Sequence, residues 1–281
     1  MNLKNDKFYY ISLALTAVFI PHLAAQTTAI PQRIISLVPS VTEEIYQLGA
    51  QDKLVGVTNF CIYPEDARKK EKVGTFLQPN IEKILRLKPD IVFATKEGHS
   101  KNLVEKMQRL GLNIHTFEPC RGYKDILSQF IELGEIIGEK EKARKIATSV
   151  LKKINSIRER TRQSKELKIF WQIGANPLIT SGRDTFADEL IHMSGGINIA
   201  HNSKIRYPRY SREEVIREDP NIIIIVEMGI ETGREINQWY KFRELKAVKR
   251  RRIYVLDGHG VLSPTPLSYL SALEKIVKLI R

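Results

Sequence analysis

Apolar and polar positions along the chain carry two alternating signals: short β-branched runs ended by a turn residue, and longer stretches with an apolar stripe at helical spacing. Arg33–Val38, ended by Pro39, then Leu54–Thr58, Ile91–Ala94 and Asn113–Phe117 read as strands. Between them, Ser40-Val41-Thr42-Glu43 has the form of a capping box opening a helix that stops at Gly49, and a helix over Lys101–Leu110 ends at Gly111. This β-α-β order with short strands predicts a parallel sheet covered by helices on both faces. Tyr123–Arg162 then lacks any strand signal. Ile126, Phe130, Leu133 and Ile137 form one stripe, and after Gly138 a second runs through Ile146, Val150, Ile154 and Ile157. The second stripe predicts one helix over Lys140–Arg162, on the order of 35 Å long at 1.5 Å per residue, and it is too short for a coiled coil. Strands resume at Lys168–Ile173, and a turn at Gly174–Pro177 leads to Thr180-Ser181-Gly182. A helix over about 185–193 stops at Gly195-Gly196, strands follow at Asn221–Val226 and Arg252–Leu256, and a terminal helix starts near Pro264.

Residues 80–94, NIEKILRLKPDIVFA, and 211–225, SREEVIREDPNIIII, repeat one pattern of capped short helix, proline stop and β-branched strand. Aligning Pro89 on Pro220 carries Glu82 onto Glu213 and Asp90 onto Asn221. A repeat this far apart is too sparse for a solenoid, whose periods run to roughly 20–50 residues, so it predicts two related lobes, each with a glutamate at an equivalent place.

At 281 residues the chain has room for a leader and two lobes of ordinary domain size. Residues 1–25 have a cationic start (Lys4, Lys7), an apolar run from Phe8 to Ile20, and then Pro21-His22-Leu23-Ala24-Ala25. The run falls short of the roughly 20 residues a membrane-spanning helix needs, so a cleaved signal peptide is expected. With no cysteine near the cleavage site, the mature protein is expected to be soluble and periplasmic. In that oxidising compartment Cys61 and Cys120 can form one disulfide, because both follow predicted strands of the first lobe; two separate loop thiols fit the sequence equally well. A net charge of +13, from 45 basic and 32 acidic residues, can mark nucleic-acid binding. Here the basic residues are scattered and interleaved with glutamates, and the one tight run, Lys249–Arg252, stands just before a strand. A solvated surface is the better reading, with no nucleic-acid partner.

QRIISLVPSVTEEIYQLGAQDKLVGVTNFCIYP, PNIEKILRLKPDIVFA, GANPLITSGRDTFADELIHMSGGINIA and YPRYSREEVIREDPNIIII, in that order over about 33–281, resemble the periplasmic cobalamin-binding proteins of ABC importers. These fall within the class III, helical-backbone, substrate-binding proteins that also take iron-siderophores and haem. The resemblance implies an α/β fold of two Rossmann-like lobes with parallel sheets joined by one long rigid helix. The lobes would span 26–122 and 164–281, with 123–163 linking them. It further implies a monomer that holds cobalamin or a related corrinoid (alternatively a ferric siderophore or haem) in the cleft and docks on a transmembrane permease.

Carried over residue by residue, the resemblance places permease-docking carboxylates at Glu82 and Glu213. Read without it, each is a first-turn carboxylate favoured by the helix dipole, worth about 0.3–1 kcal/mol. It places ligand contacts at Pro39, Ser40, Phe60 and Phe76 in the first lobe, and at Ile179, Tyr207 and Asp257 in the second. Aromatic and apolar walls suit a large flat ring whose polar rim needs only a few fixed partners. Phe60, Phe76 and Tyr207 stand where a known relative carries tyrosine and two tryptophans, Ile179 replaces an aromatic, and Gly258–Val261 lacks a bulky, charged loop.

His99, His115, His201 and His259 have no paired spacing, so capture of a bare metal ion is not expected. His259, between glycines in a cleft loop, is the histidine best placed to approach a ligand's metal, against the commoner reading of a solvated loop side chain. No G-x-S-x-G elbow, phosphate loop or dinucleotide fingerprint is present. No residue stands out as nucleophile or base, and binding without catalysis is expected.

Overall fold

The computed structural model describes residues 29–162, 167–227 and 231–281. The expected leader, 1–25, and the expected boundary at 163/164 lie outside the described residues. The first lobe runs β1 (Ile34–Ser36), α1 (Pro39–Gln47), β2 (Leu54–Val57), α2 (Ile81–Arg86), β3 (Ile91–Thr95), α3 (Lys101–Arg109) and β4 (Ile114–Phe117). Its sheet is fully parallel in the order β2-β1-β3-β4. Two helices follow, α4 (Tyr123–Ile136) and α5 (Lys140–Thr161). The corner between them turns at Gly138, whose φ of 85° suits a residue without a Cβ.

The second lobe contains β5 (Leu167–Ala175), β6 (Leu178–Thr180), α6 (Phe186–Met193), β7 (Gly196–Asn198), α7 (Arg212–Glu218), β8 (Ile222–Glu227), α8 (Thr232–Tyr240), α9 (Lys246–Lys249), β9 (Ile253–Asp257) and α10 (Pro266–Ile280). Strands β7, β5, β8 and β9 pair in parallel in that order, as β2, β1, β3 and β4 do in the first lobe. β6 departs from the expected parallel arrangement: the tight turn at Asn176-Pro177 sends it back antiparallel along the end of β5, since so short a connection can join only antiparallel strands. The sequence pattern also gave no notice of α8 and α9, one with a sparse stripe and one a single turn.

The predicted repeat is real down to individual hydrogen bonds. Asp90 Oδ2 accepts from Arg33 N at 2.8 Å, and Asp90 N donates to Arg33 O at 2.8 Å. Asn221 Oδ1 accepts from Lys168 N at 2.9 Å, and Asn221 N donates to Lys168 O at 2.8 Å. Each residue thereby docks the strand after its proline onto the first strand of its own lobe.

The outer face of each sheet has its own apolar cluster, around Ile35 and Val92 in one lobe and around Phe170 and Ile223 in the other. The inner faces share one. It runs from Val41, Ile45 and Phe93 through Phe130 and Leu133 of α4 and Val150 and Ile154 of α5, to Trp171, Ile224 and, on α10, Leu273 and Ile276.

Candidate functional site

Loops at the carboxyl ends of parallel strands gather ligand-binding groups, and here both lobes turn those loops toward a common cleft. α1 is capped two residues before the expected capping box. Val38 is its N-cap without a side-chain bond and Pro39 its first residue, a position where proline's missing N–H costs nothing. The expected box at Ser40 and Glu43 is therefore absent. Thr42 Oγ1 bonds Ser36 Oγ at 2.9 Å, and Ser36 Oγ donates to Val38 O at 2.9 Å, fixing the turn from β1 into the helix.

The main cavity, of about 580 Å³, lies on this turn. Pro39, Ser40, Phe60 and Phe76 all line it, joined by Leu77 and Phe117; Phe186, Leu262 and Pro264 form the wall from the second lobe. Phe60 and Leu77 are 60% and 66% exposed, an apolar rim without a cover. Phe76 packs edge-on against the His99 ring, centroids 5.1 Å apart. It sits where a Cβ on residue 98 would stand 2.1 Å from its ring, so Gly98 makes room for it.

A smaller cavity of about 250 Å³ adjoins it and is lined by Trp171, Ile173 and Tyr207; Phe186 and Leu262 border both spaces. Phe76 and Tyr207 thus stand on opposite lobes of one composite cleft. Arg206 was not singled out from the sequence. Its guanidinium lies 5.5 Å from the centre of the Tyr207 ring and crosses between the lobes, donating to Cys120 O at 3.2 Å and pairing with Glu97 at 3.4 Å.

The remaining second-lobe candidates stand elsewhere. Ile179 lies on β6 beside Gly174 and lines none of these cavities. Asp257 ends β9 and His259 follows it, but on the far side of α1. There His259 Nε2 meets Glu43 Oε2 at 2.8 Å, its ring stacks on Tyr63 with centroids 3.5 Å apart, and its N–H donates to Asp257 Oδ1 at 2.9 Å. They border a separate cavity of about 340 Å³ with Glu43 and Gln47. His259 is a tie between lobes, reinforced by Gln47 Nε2 donating to Thr265 Oγ1 at 2.9 Å.

Both cysteines are free thiols. Cys61 is buried between Thr42 and Thr58, 3.1 and 3.2 Å from their hydroxyls. Cys120 lines the main cavity and donates to Gln129 Oε1 at 3.4 Å; burial, with nearby carboxylates, pushes its pKa up to about 12. Among the described residues no group of three or more histidines, cysteines or carboxylates could hold a metal ion.

Sequence reading also passed over Glu44. It lines the main cavity, is 5% exposed, and has no hydrogen-bond partner among the described residues. Burial first, and the Glu43 carboxylate second, hold its pKa well above the usual carboxyl range. With Glu97 and Glu118 it gives the main cavity three glutamates, while the described residues lining it include no lysine, arginine or histidine.

Glu82 and Glu213 stand clear of these cavities. Asn80 and Ser211 cap their helices through bonds to Lys83 N and Glu214 N. Each glutamate is the second residue after its cap, exposed, and without an ion pair among the described residues.

A family model described as periplasmic binding protein matches residues 34–259. A vitamin B12-binding protein of Vibrio cholerae serotype O1 is 31% identical over 265 residues, covering 94% of each chain. The crystal structure of the periplasmic vitamin B12 binding protein of Vibrio cholerae superposes with a TM-score of 0.78 at 30% identity, over 89% of this chain and 97% of that one. A periplasmic haem-binding protein from Roseiflexus sp. RS-1, 24% identical, shares the fold with a TM-score of 0.79 over 89% of this chain and 97% of that one.

Proposed function

Since this chain belongs to the periplasmic binding protein family, we propose that it captures cobalamin or a related corrinoid in the cleft between its lobes and presents it to the permease of an ABC importer. The observation that carries this reading is the composition of the main cavity: aromatic and aliphatic walls, three glutamates and no basic side chain among the described residues. A corrin ring is broad and flat with a rim of uncharged amides, so it buries apolar faces against such walls without bringing negative charge. The names of the relatives agree with it.

Haem or an anionic ferric chelate is the second reading, supported by the haem-binding relative of the same fold. Haem brings two carboxylates and an iron that takes histidine, methionine, tyrosine or a thiolate. The described lining of the main cavity has none of the first three, and the Cys120 thiol stays protonated, while the adjoining cavity supplies one tyrosine, Tyr207. The three glutamates, with no basic side chain in that lining to meet two added carboxylates, favour the corrinoid.

The family's members are binding proteins, and capture without catalysis follows from the same reading. Pro39, Ser40, Phe60, Phe76 and Tyr207 are the proposed ligand contacts, and Glu82 and Glu213 the docking carboxylates, one per lobe. A monomer exported by a cleaved leader to the periplasm fits a soluble carrier. Protein purified with added cobalamin and desalted should keep a red corrin spectrum and a matching mass by native mass spectrometry. Retention of haem or a ferric chelate in its place would reject the corrinoid.

A further inference from the structure

Glu44 differs from every other acid around the cleft. Glu97 pairs with Arg206, Glu118 with Lys96, and Glu43 with His259 and Gln47. Glu44 alone faces the cavity with both oxygens unpartnered among the described residues, although it is 5% exposed. Val38, Val41, Phe117 and Ile126 share the cavity lining with it and have no side-chain group to bond, and the Cys120 thiol gives its hydrogen to Gln129. A buried polar group left without a partner is costly, and such groups in folded proteins usually have one when the molecule is at work. The missing partner is then a group on the ligand.

We propose that Glu44 is the fixed post for a primary carboxamide of the ligand, its carboxyl O–H donating to the amide carbonyl while its C=O accepts from the amide N–H. This rests on the corrinoid reading above, because the corrin rim carries such amides. A two-point pair of this kind needs the acid form, and burial supplies it by holding the proton on Glu44. The charges around it keep that state. Glu43 precedes it on α1 and is itself bonded to His259. Glu97 and Glu118 project from the loops after β3 and β4, and Asp125 lies in the first turn of α4. Arg206, which reaches across from the second lobe, is occupied by Glu97 and Cys120 O. A carboxylate at position 44 would accept from the amide N–H but repel its carbonyl, so the pairing also sets which way the ligand amide is turned.

The test titrates cyanocobalamin into wild type, Glu44→Leu and Glu44→Gln by fluorescence quenching or calorimetry. Glu44→Leu should bind about ten- to a hundredfold more weakly, the scale of two lost hydrogen bonds. Glu44→Gln, whose amide can form the same two-point pair, should recover most of that loss. Wild-type affinity should fall as pH rises through the ionisation of Glu44, and the glutamine variant should lack this fall. A merely structural role would weaken every corrinoid alike. The ligand is therefore varied too, using cobalamins with one side-chain amide hydrolysed to the acid. For one isomer the amide-to-acid penalty seen with wild type should vanish in Glu44→Leu, while the other isomers keep theirs. Undiminished cobalamin binding by Glu44→Leu, or penalties that are the same in both proteins for every isomer, would overturn the inference and leave the corrinoid reading standing. Failure of wild type to bind cobalamin would overturn both.

Discussion

Phe76 owes its place to Gly98 and His99, and Tyr207 owes its place to the loop that also carries Arg206. If the two rings grip opposite faces of one ligand, Phe76→Ala and Tyr207→Ala should each weaken binding by about 1–3 kcal/mol. Neither should move the unfolding midpoint much, because neither ring is fully buried in the absence of ligand. Calorimetric titration beside thermal melts checks this, and unchanged affinity in both variants would remove the sandwich. Glu44 makes a separate prediction about the ligand-free protein. Its folded-state pKa is raised, so the folded state binds the extra proton between the ordinary carboxyl range and that higher value, and stability falls as pH rises through this window. Below the window the effect is absent. Glu44→Gln should flatten the curve, melting like wild type in acid and above it at neutral and alkaline pH. Glu44 was legible in part: Val41, Glu44, Ile45 and Leu48 have the i, i+3, i+4, i+7 spacing of one buried face. Taking Glu43 as the third residue of a capping box hid this, because Pro39 starts the helix earlier than Ser40 can cap it. His259 misled in another way. A histidine between glycines reads as a free loop residue, and nothing in the sequence tells that Glu43 and Tyr63 come from the other lobe to hold it.

Repetition made the elements legible. The pattern shared by 80–94 and 211–225 states the same helix, stop and strand twice, and Asp90 and Asn221 fill one structural role, so the parallel sheets followed from local signals alone. What the pattern lacked was β6, whose direction depends on a two-residue turn, and α9, too short for a periodic signal. The same equivalence governs α2 and α7. Glu82 and Glu213 occupy matching positions after their caps, so a partner with two related halves would meet both in one orientation. Glu82→Ala and Glu213→Ala should leave ligand affinity unchanged and weaken association with the permease. Each loss should be up to about 2–5 kcal/mol where the contact becomes buried and well under that at a wet rim. The double variant should lose more than either single, and added salt should weaken the wild-type complex. Association measured in nanodiscs, with ligand titration of the same proteins, decides it; normal docking by the double variant would reduce both glutamates to helix-end carboxylates of the fold. Asp90 offers a control within the same element. Bonds from Gln32 N and Arg33 N hold its pKa low, so its contribution to stability is present above the ordinary carboxyl range and lost as acid protonates it. Asp90→Ala should therefore lower the melting temperature at neutral pH and matter little at the acid end.

The two lobes are separate as sheets and continuous as a core. α4, α5 and α10 lie between them, and the apolar cluster that starts at Ile34 ends at Ile280 without a break. Tyr123 N and Tyr269 OH both donate to Glu189, at 2.5 and 3.0 Å, closing the seam from the side. A chain built this way should unfold in one cooperative transition, with calorimetric and van't Hoff enthalpies equal; two resolved transitions would mean that the lobes fold independently. X-ray scattering should give nearly the same radius of gyration with and without ligand. The shared core also bears on how cargo leaves. A receptor whose halves swing freely can let go by thermal opening alone, so that release is a matter of waiting. Here, spreading the jaws means tearing apart buried side chains, and the molecule has no cheap open state to visit. The work of prising out the cargo then falls to the machine it docks on, and the receptor's part in the exchange is to stay stiff while it is pulled.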